Sequence, residues 1–210
     1  MTCPLCLKNN IEHYHQDKFR DYWQCLFCQL VFVKPEQYLS VVEEKSIYDQ
    51  HQNTPDDLGY RKFLNKLLVP LSVKLKMGAK GLDFGSGPGA TISVMMQEEG
   101  FNVSDYDVFY ANKPELLKDS YDFITCTEVI EHLHNPHQEI TLLSGLLTQN
   151  GHLGIMTKRV IDKNKFSTWH FKNDLTHVCF YSDDTFKFIA NQWNFKLHII
   201  NSDTLILTKI

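Results

Sequence analysis

Gly81-Leu82-Asp83-Phe84-Gly85-Ser86-Gly87-Pro88-Gly89-Ala90-Thr91 reads as a short apolar strand carrying an acid, a glycine-rich turn and the start of a helix. Three glycines at alternate positions let the backbone turn sharply and approach a ligand where a Cβ would intrude. The helix that follows, from Thr91 to Glu99, presents its first N–H groups to the same spot.

Three ligand classes compete for such a turn. A phosphate loop of the nucleoside triphosphatases ends in Gly-Lys-Ser/Thr, which this stretch lacks. A dinucleotide turn can be read from Gly85, Gly87 and Ala90. Asp83 argues against that ligand, because its charge would face a pyrophosphate, whereas it would welcome an ammonium group. Asp107, twenty residues after Gly87, closes a second apolar run from Phe101 to Tyr106 and suits a ribose diol. An acid at each strand end around a glycine turn fits a ligand with an amino-acid head and a nucleoside, which is S-adenosylmethionine.

These motifs, followed by Tyr121-Asp122-Phe123-Ile124-Thr125-Cys126-Thr127-Glu128-Val129-Ile130-Glu131-His132-Leu133, resemble the class I S-adenosylmethionine-dependent methyltransferases. The resemblance runs over roughly residues 45–210 in motif order. It implies an α/β fold, a seven-stranded Rossmann-like sheet with helices on both faces and an antiparallel last strand. It implies cofactor contacts at Asp83, Gly85, Ser86, Gly87, Gly89, Asp107 and Thr127. Alternating strand and helix patterns from residue 80 onward agree: strands near 82–84, 103–106, 122–126 and 151–157, helices at 90–99, 128–147 and 183–191, and a closing strand pair at 195–201 and 204–208. One departure is visible. Between Asp107 and Tyr121 little room remains for the usual third strand, and no acid there is placed for the adenine amine.

Glu128, Glu131 and His132 stand at i, i+3 and i+4, the spacing of one helical face, at the carboxyl end of a strand. His177, in Asn173-Asp174-Leu175-Thr176-His177, lies where such enzymes line the acceptor pocket. Two carboxylates and two imidazoles suit an octahedral Mg²⁺ or Mn²⁺. The pattern resembles ubiquinone-pathway O-methyltransferases and the small-RNA 3′-terminal 2′-O-methyltransferases, which implies metal ligands at Glu128, Glu131, His132 and His177. A cation-free route with His132 or His177 as general base stays open. Glutamates in a first helical turn also suit the helix dipole without any ligand.

The chain begins with a separate unit. Cys3-Pro-Leu-Cys6 and Cys25-Leu-Phe-Cys28 are two CxxC knuckles with eighteen residues between their inner cysteines. Two knuckles complete a tetrahedral four-sulfur site, and a zinc ribbon over residues 1–34 is the expectation. So short a segment needs its metal to fold. Residues 35–60 read as a linker and lid, with Tyr48, His51, Asn53 and Gly59-Tyr60-Arg61 over the cofactor. The methyltransferase domain is expected over 61–210, opening on a helix interrupted by Pro70.

The chain has 210 residues, 43% hydrophobic and 22% charged, with a net charge of −4. That is enough for one α/β domain and a small appendage. The negative balance gives no global pull on nucleic acid. No apolar run reaches membrane-spanning length, and the N-terminus lacks a basic-then-apolar signal, so cytoplasmic residence is expected. The leading expectation is O-methylation of a small hydroxylated molecule. An RNA methyltransferase that uses the ribbon to touch its substrate comes second, and a cofactor-binding module without turnover third.

Overall fold

The computed structural model describes residues 1–50 and 53–210; the expected lid residue His51 lies outside them. Three short strands open the chain: β1 (Ile11–Gln16), β2 (Asp21–Cys25) and β3 (Val31–Val33). Helices α1 (Val41–Tyr48) and α2 (Leu58–Ser72) lead to β4 (Lys80–Phe84). Then come α3 (Thr91–Glu98), β5 (Asn102–Tyr106), β6 (Tyr121–Thr127), α4 (Pro136–Leu146) and β7 (Leu147–Met156). The chain closes with α5 (Lys163–Ser167), β8 (Cys179–Phe180), α6 (Asp183–Gln192), β9 (Phe195–Ile199) and β10 (Thr204–Lys209).

The main sheet runs β5-β4-β6-β7-β10-β9. Its first four strands are parallel, and β10 is antiparallel to both neighbours. The central strands are largely buried on both faces, so successive residues enter different cores. Phe123 packs with Leu64, Leu67 and Met95 from α2 and α3, whereas Ile124 packs with Ile140, Leu143 and Ile189 from α4 and α6. Ile206 and Leu205 divide in the same way.

Among the described residues six strands form this sheet, one fewer than the expected seven. The segment between Asp107 and Tyr121 is spent on a side-chain-capped turn, an isolated bridge from Asp107 to Ala111 and a 3₁₀ turn at Pro114–Lys118. Pro114 starts that turn well, but would remove a donor from a ladder. A second correction concerns 128–147, which is not one helix. Glu128 turns left-handed (φ +53°), Ile130–His132 is a single 3₁₀ turn, and α4 starts only at Pro136. Pro70 does not divide α2, because it falls in the last turn of a helix that ends at Ser72.

The N-terminal strands do not stand alone. A four-stranded sheet runs β1-β2-β3-β8, and its last strand comes from the far end of the chain. Val31 pairs with Phe180 and Phe32 with Cys179. Val33 N donates to Val178 O at 2.9 Å. Trp169 and Phe180 pack here with Tyr22 and Phe166.

Candidate active site

A cavity of about 630 Å³ opens at the carboxyl ends of β4, β5 and β6, roofed by residues of α1 and α2. Sites in open parallel sheets sit at this edge because the strand-to-helix loops gather there.

One end is built by the glycine turn. Gly85 (φ +81°) and Gly87 (φ +62°) hold left-handed backbone. At Gly87 nothing lies within 4 Å of where a Cβ would be, so the space beside it is the cavity itself. At Gly89 a Cβ would collide with Asn53 O, so the lid segment rests on this residue. Asp107 ties the turn to the next strand: its Oδ2 accepts from Gly87 N at 3.0 Å, and its Oδ1 from Phe109 N and Tyr110 N. Asp83 is 3% exposed and accepts from Thr125 Oγ1 at 2.7 Å. Burial pushes its carboxyl up to about 7, against the pull of that hydrogen bond. Ser86 and Thr127 line the same cavity, and Thr127 Oγ1 is buried with no partner among the described residues.

Tyr60, from the first turn of α2, lies under the field of both Asp83 and Glu128; burial and then these carboxyls push its phenol up to about 12. Six carboxyl side chains line the cavity, those of Glu44, Asp83, Asp107, Glu128, Glu139 and Asp174. No lysine or arginine does so among the described residues. A pyrophosphate would be repelled here. An ammonium or sulfonium beside carboxyls and tyrosine rings would be stabilised.

The other end gathers the second constellation. Glu131, His132 and His177 place ligand atoms within 4.8 Å of one another. His132 and His177 line the cavity and Glu131 sits buried behind them; Glu128 is outside that group but lines the cavity, and burial pushes its carboxyl up to about 7, with Lys158 opposing. The αL backbone at Glu128 re-aims the chain as it leaves β6, and Glu128 N donates to Met156 O at 2.8 Å. Glu131 is fully buried, and neither carboxylate oxygen has a hydrogen-bond partner among the described residues. Burial, reinforced by Glu128, drives its carboxyl far above the ordinary range.

Each imidazole is oriented from behind. His177 Nδ1 faces Phe171 O at 2.7 Å, and because a carbonyl only accepts, the proton sits on Nδ1 and Nε2 carries the lone pair. Burial lowers the pKa of His177 and keeps the ring neutral. His132 Nδ1 lies 3.1 Å from Tyr48 Oη and 3.2 Å from Thr176 O, and Tyr48 donates to Glu44 at 2.7 Å. The two rings meet edge-on at 4.7 Å between centroids.

Sequence reasoning missed Glu44 and Asp174. Glu44 sits on α1, in a stretch with no motif, and Asp174 reads as loop polarity. Asp174 accepts from Thr176 N and Oγ1 and lies 3.8 Å from His177 Nε2. Of the expected lid residues, Tyr48, Asn53 and Tyr60 line the cavity, whereas Arg61 pairs with Glu98 instead.

The four cysteine sulfurs also converge. Cys3 and Cys28 lie 3.5 Å apart, Cys6 and Cys25 3.4 Å, and all four are within 4.8 Å. Each knuckle has the same backbone. Leu7 N returns to Cys3 O and Gln29 N to Cys25 O, with Leu7 and Gln29 both at φ +61°. Such a cluster could hold a four-coordinate metal ion, whose ligand sulfurs would lie roughly 3.8 Å apart.

A family model described as a methyltransferase domain matches residues 57–199, about two thirds of the chain. The ubiquinone biosynthesis O-methyltransferase of Photobacterium profundum is 33% identical over 78 residues, 37% of this chain and 33% of that protein. The match thus spans about a third of that curated relative's length. Magnesium protoporphyrin IX methyltransferase from Synechocystis PCC 6803, with S-adenosylhomocysteine bound, superposes with a TM-score of 0.54 at 12% identity, over 80% of this chain and 94% of that one. A SAM-dependent methyltransferase from Archaeoglobus fulgidus gives 0.52 at 17% identity, over 71% and 99%. No described helix is long and apolar enough to cross a membrane. With the strand order and the glycine turn at the cavity in agreement, the chain belongs to the methyltransferase-domain family.

Proposed function

We propose that this enzyme methylates a hydroxyl group of a small acceptor, assisted by a divalent cation held by Glu131, His132 and His177. The observation that carries this reading is the Glu131 carboxyl: buried, without a hydrogen-bond partner among the described residues, and gathered with two imidazoles. A buried acid in that state is costly to ionise unless a cation replaces the proton. The donor set of one carboxylate and two imidazoles suits a borderline dication such as Mn²⁺ better than Mg²⁺, which prefers oxygen ligands, and Glu128, three residues before Glu131, would add a second carboxylate.

When bound, S-adenosylmethionine supplies an electrophilic methyl and the cation lowers the pKa of a hydroxyl. The chain's own residues do the rest. Asp83 and the glycine turn receive the amino-acid end of the cofactor, and Asp107 its ribose. Phe171 O and Thr176 O fix the two rings, the outer-shell support that metal-binding imidazoles need. Phe171, Tyr48 and the lid residues narrow the cavity around the acceptor. A small neutral or cationic acceptor suits six lining carboxyls better than RNA does, and the net charge of −4 points the same way. The cysteine cluster takes zinc on this reading, because four thiolates are the donor set of structural zinc sites.

The test is release of S-adenosylhomocysteine from a panel of catechols and vicinal diols, with and without added Mg²⁺ or Mn²⁺. Turnover that requires the cation and disappears in Glu131→Gln supports the reading. Turnover indifferent to added cation in wild type contradicts it. One observation favours a second, cation-free reading. His132 Nδ1 backs onto Tyr48, which leans on Glu44, an arrangement that would orient the ring as a general base. The same cation-omission experiment decides between them.

A further inference from the structure

Arg20 belongs to the cysteine module but spends its side chain on the acceptor wall. It lies in the β1–β2 turn and is 4% exposed. Nη1 donates to Leu175 O at 3.0 Å and His177 O at 2.8 Å. Nη2 donates to Lys172 O at 2.7 Å and Asp174 O at 3.0 Å. Four carbonyls of one short loop therefore curl around one planar fork, a geometry that a guanidinium supplies and an ammonium does not. Between the 3₁₀ turn at His170–Asn173 and β8 the loop has no helix or strand of its own. Its carbonyls are satisfied from more than 150 residues away in the chain.

The module grips this loop at three more points. Lys172 Nζ pairs with Asp17 at 3.2 Å, inside the module's turn. Tyr22 Oη donates to Asp17 at 2.8 Å and lies 3.3 Å from Lys172 O. The β3–β8 ladder holds the far end, and Val178 N then donates to Glu131 O at 2.9 Å. A continuous set of bonds thus runs from the β1–β2 hairpin, which ends at Cys25, to the residues of the reacting centre.

We propose that Arg20 is a positioning residue of the acceptor site, and that the cysteine module is a clamp that holds His177 against Glu131 and His132. The proposal rests on placing the reacting centre at these residues. Loss of the metal from the four cysteines would release the hairpin, then the loop, while leaving the glycine turn intact.

The test is hydrogen exchange on the full chain saturated with S-adenosylhomocysteine, in wild type, Arg20→Lys and Arg20→Ala, with nitrogen-15 spectra of the histidine rings. Arg20→Lys keeps the charge but cannot reach four carbonyls at once. Amides of Thr176, His177 and Val178 should exchange about tenfold faster or more, while residues 81–98 and S-adenosylhomocysteine affinity stay within about twofold of wild type. The His177 Nδ1 signal should lose its hydrogen-bonded shift, and millimolar guanidinium should restore it in Arg20→Ala. If Arg20→Ala fails to fold, wild type stripped of metal at the cysteines replaces it and should show the same loosening. Unchanged exchange at 176–178 in Arg20→Lys overturns the proposal. So does faster exchange shared equally by 81–98 with loss of S-adenosylhomocysteine binding, which would make Arg20 a general core residue. Neither readout needs the acceptor or the second cation. A loosened loop in a protein that binds no Mn²⁺ upholds the clamp and removes the cation; a rigid loop in a protein that binds Mn²⁺ does the reverse.

Discussion

The two ends of the cavity are made in different ways. The end proposed for the cofactor comes from one continuous strand–turn–helix, with Asp107, just past the adjacent strand, closing it through the Gly87 amide. Its groups are mostly backbone, set by glycine geometry. The end proposed for the acceptor is assembled from side chains on three distant segments, around 44–48, 128–132 and 171–177, and braced by a fourth at 17–22. A local construction tolerates change elsewhere in the chain. An assembled one depends on every strut, and the difference predicts separable losses of binding and turnover.

The largest separation is expected at Glu131→Gln. Turnover should fall by at least about 100-fold, since removing a ligand exceeds the usual effect of removing its outer-shell partner. Without added cation, thermal stability should not fall, because an amide avoids the cost of protonating on folding a carboxyl that is ionised in the unfolded chain. A calorimetric melt beside a methyl-transfer assay checks both halves. Stability lost in step with activity would instead make Glu131 a structural residue.

At the cofactor end, Gly87→Val should act in the opposite sense. The left-handed backbone at Gly87 costs a side chain about 1 kcal/mol or more, and a branched Cβ would enter the open space beside the turn. S-adenosylhomocysteine affinity should drop by about 100-fold, a loss of roughly 2.7 kcal/mol. Mn²⁺ affinity should hold. Parallel loss of both ligands would erase the distinction between the two ends.

How much of this was legible in sequence follows the same division. Asp83, Gly85, Gly87, Gly89 and Asp107 could be named because a turn and its two strands lie within 27 residues and carry their own signals. The cysteine knuckles were legible for the same reason, each being four residues long. Glu128, Glu131 and His132 were named from their spacing and, with His177, from motif resemblance, but not the 3₁₀ turn that holds Glu131 and His132. Helical spacing alone suggested one continuous helix, and the left-handed Glu128 breaks it. Arg20, Glu44 and Asp174 were invisible, because their partners lie far away in sequence and no periodicity marks a guanidinium that will cap a loop. The six-stranded sheet was half visible: the short Asp107–Tyr121 interval signalled a missing strand, yet the family pattern supplied seven.

A smaller effect is expected at the brace. Burial alone would raise the pKa of Asp17, but hydrogen bonds from Phe19 N, Arg20 N, Tyr22 and Lys172 hold it well below its ordinary 3.8. A carboxyl depressed on folding adds stability above its unfolded pKa and loses it as pH falls toward the folded value. Asp17→Asn should therefore cost about 1–3 kcal/mol near neutral pH, and the gap from wild type should shrink below about pH 4. Urea titrations at both pH values measure it. The smallest effect belongs to Tyr48→Phe, which removes the hydroxyl between Glu44 and His132. Turnover should fall by about tenfold or less, with stability changed by under about 1.5 kcal/mol. A much larger fall that persists without added cation would favour His132 as the base.

The most direct measurement is calorimetric titration of Mn²⁺ into zinc-loaded protein saturated with S-adenosylhomocysteine, beside Glu131→Gln and His177→Ala. Saturable binding in wild type that is absent from both variants is the expected result, and it would establish a cation site at Glu131 and His177 beside the cavity. No binding in wild type, with S-adenosylhomocysteine still held, would contradict that claim and leave the two imidazoles as bases or struts.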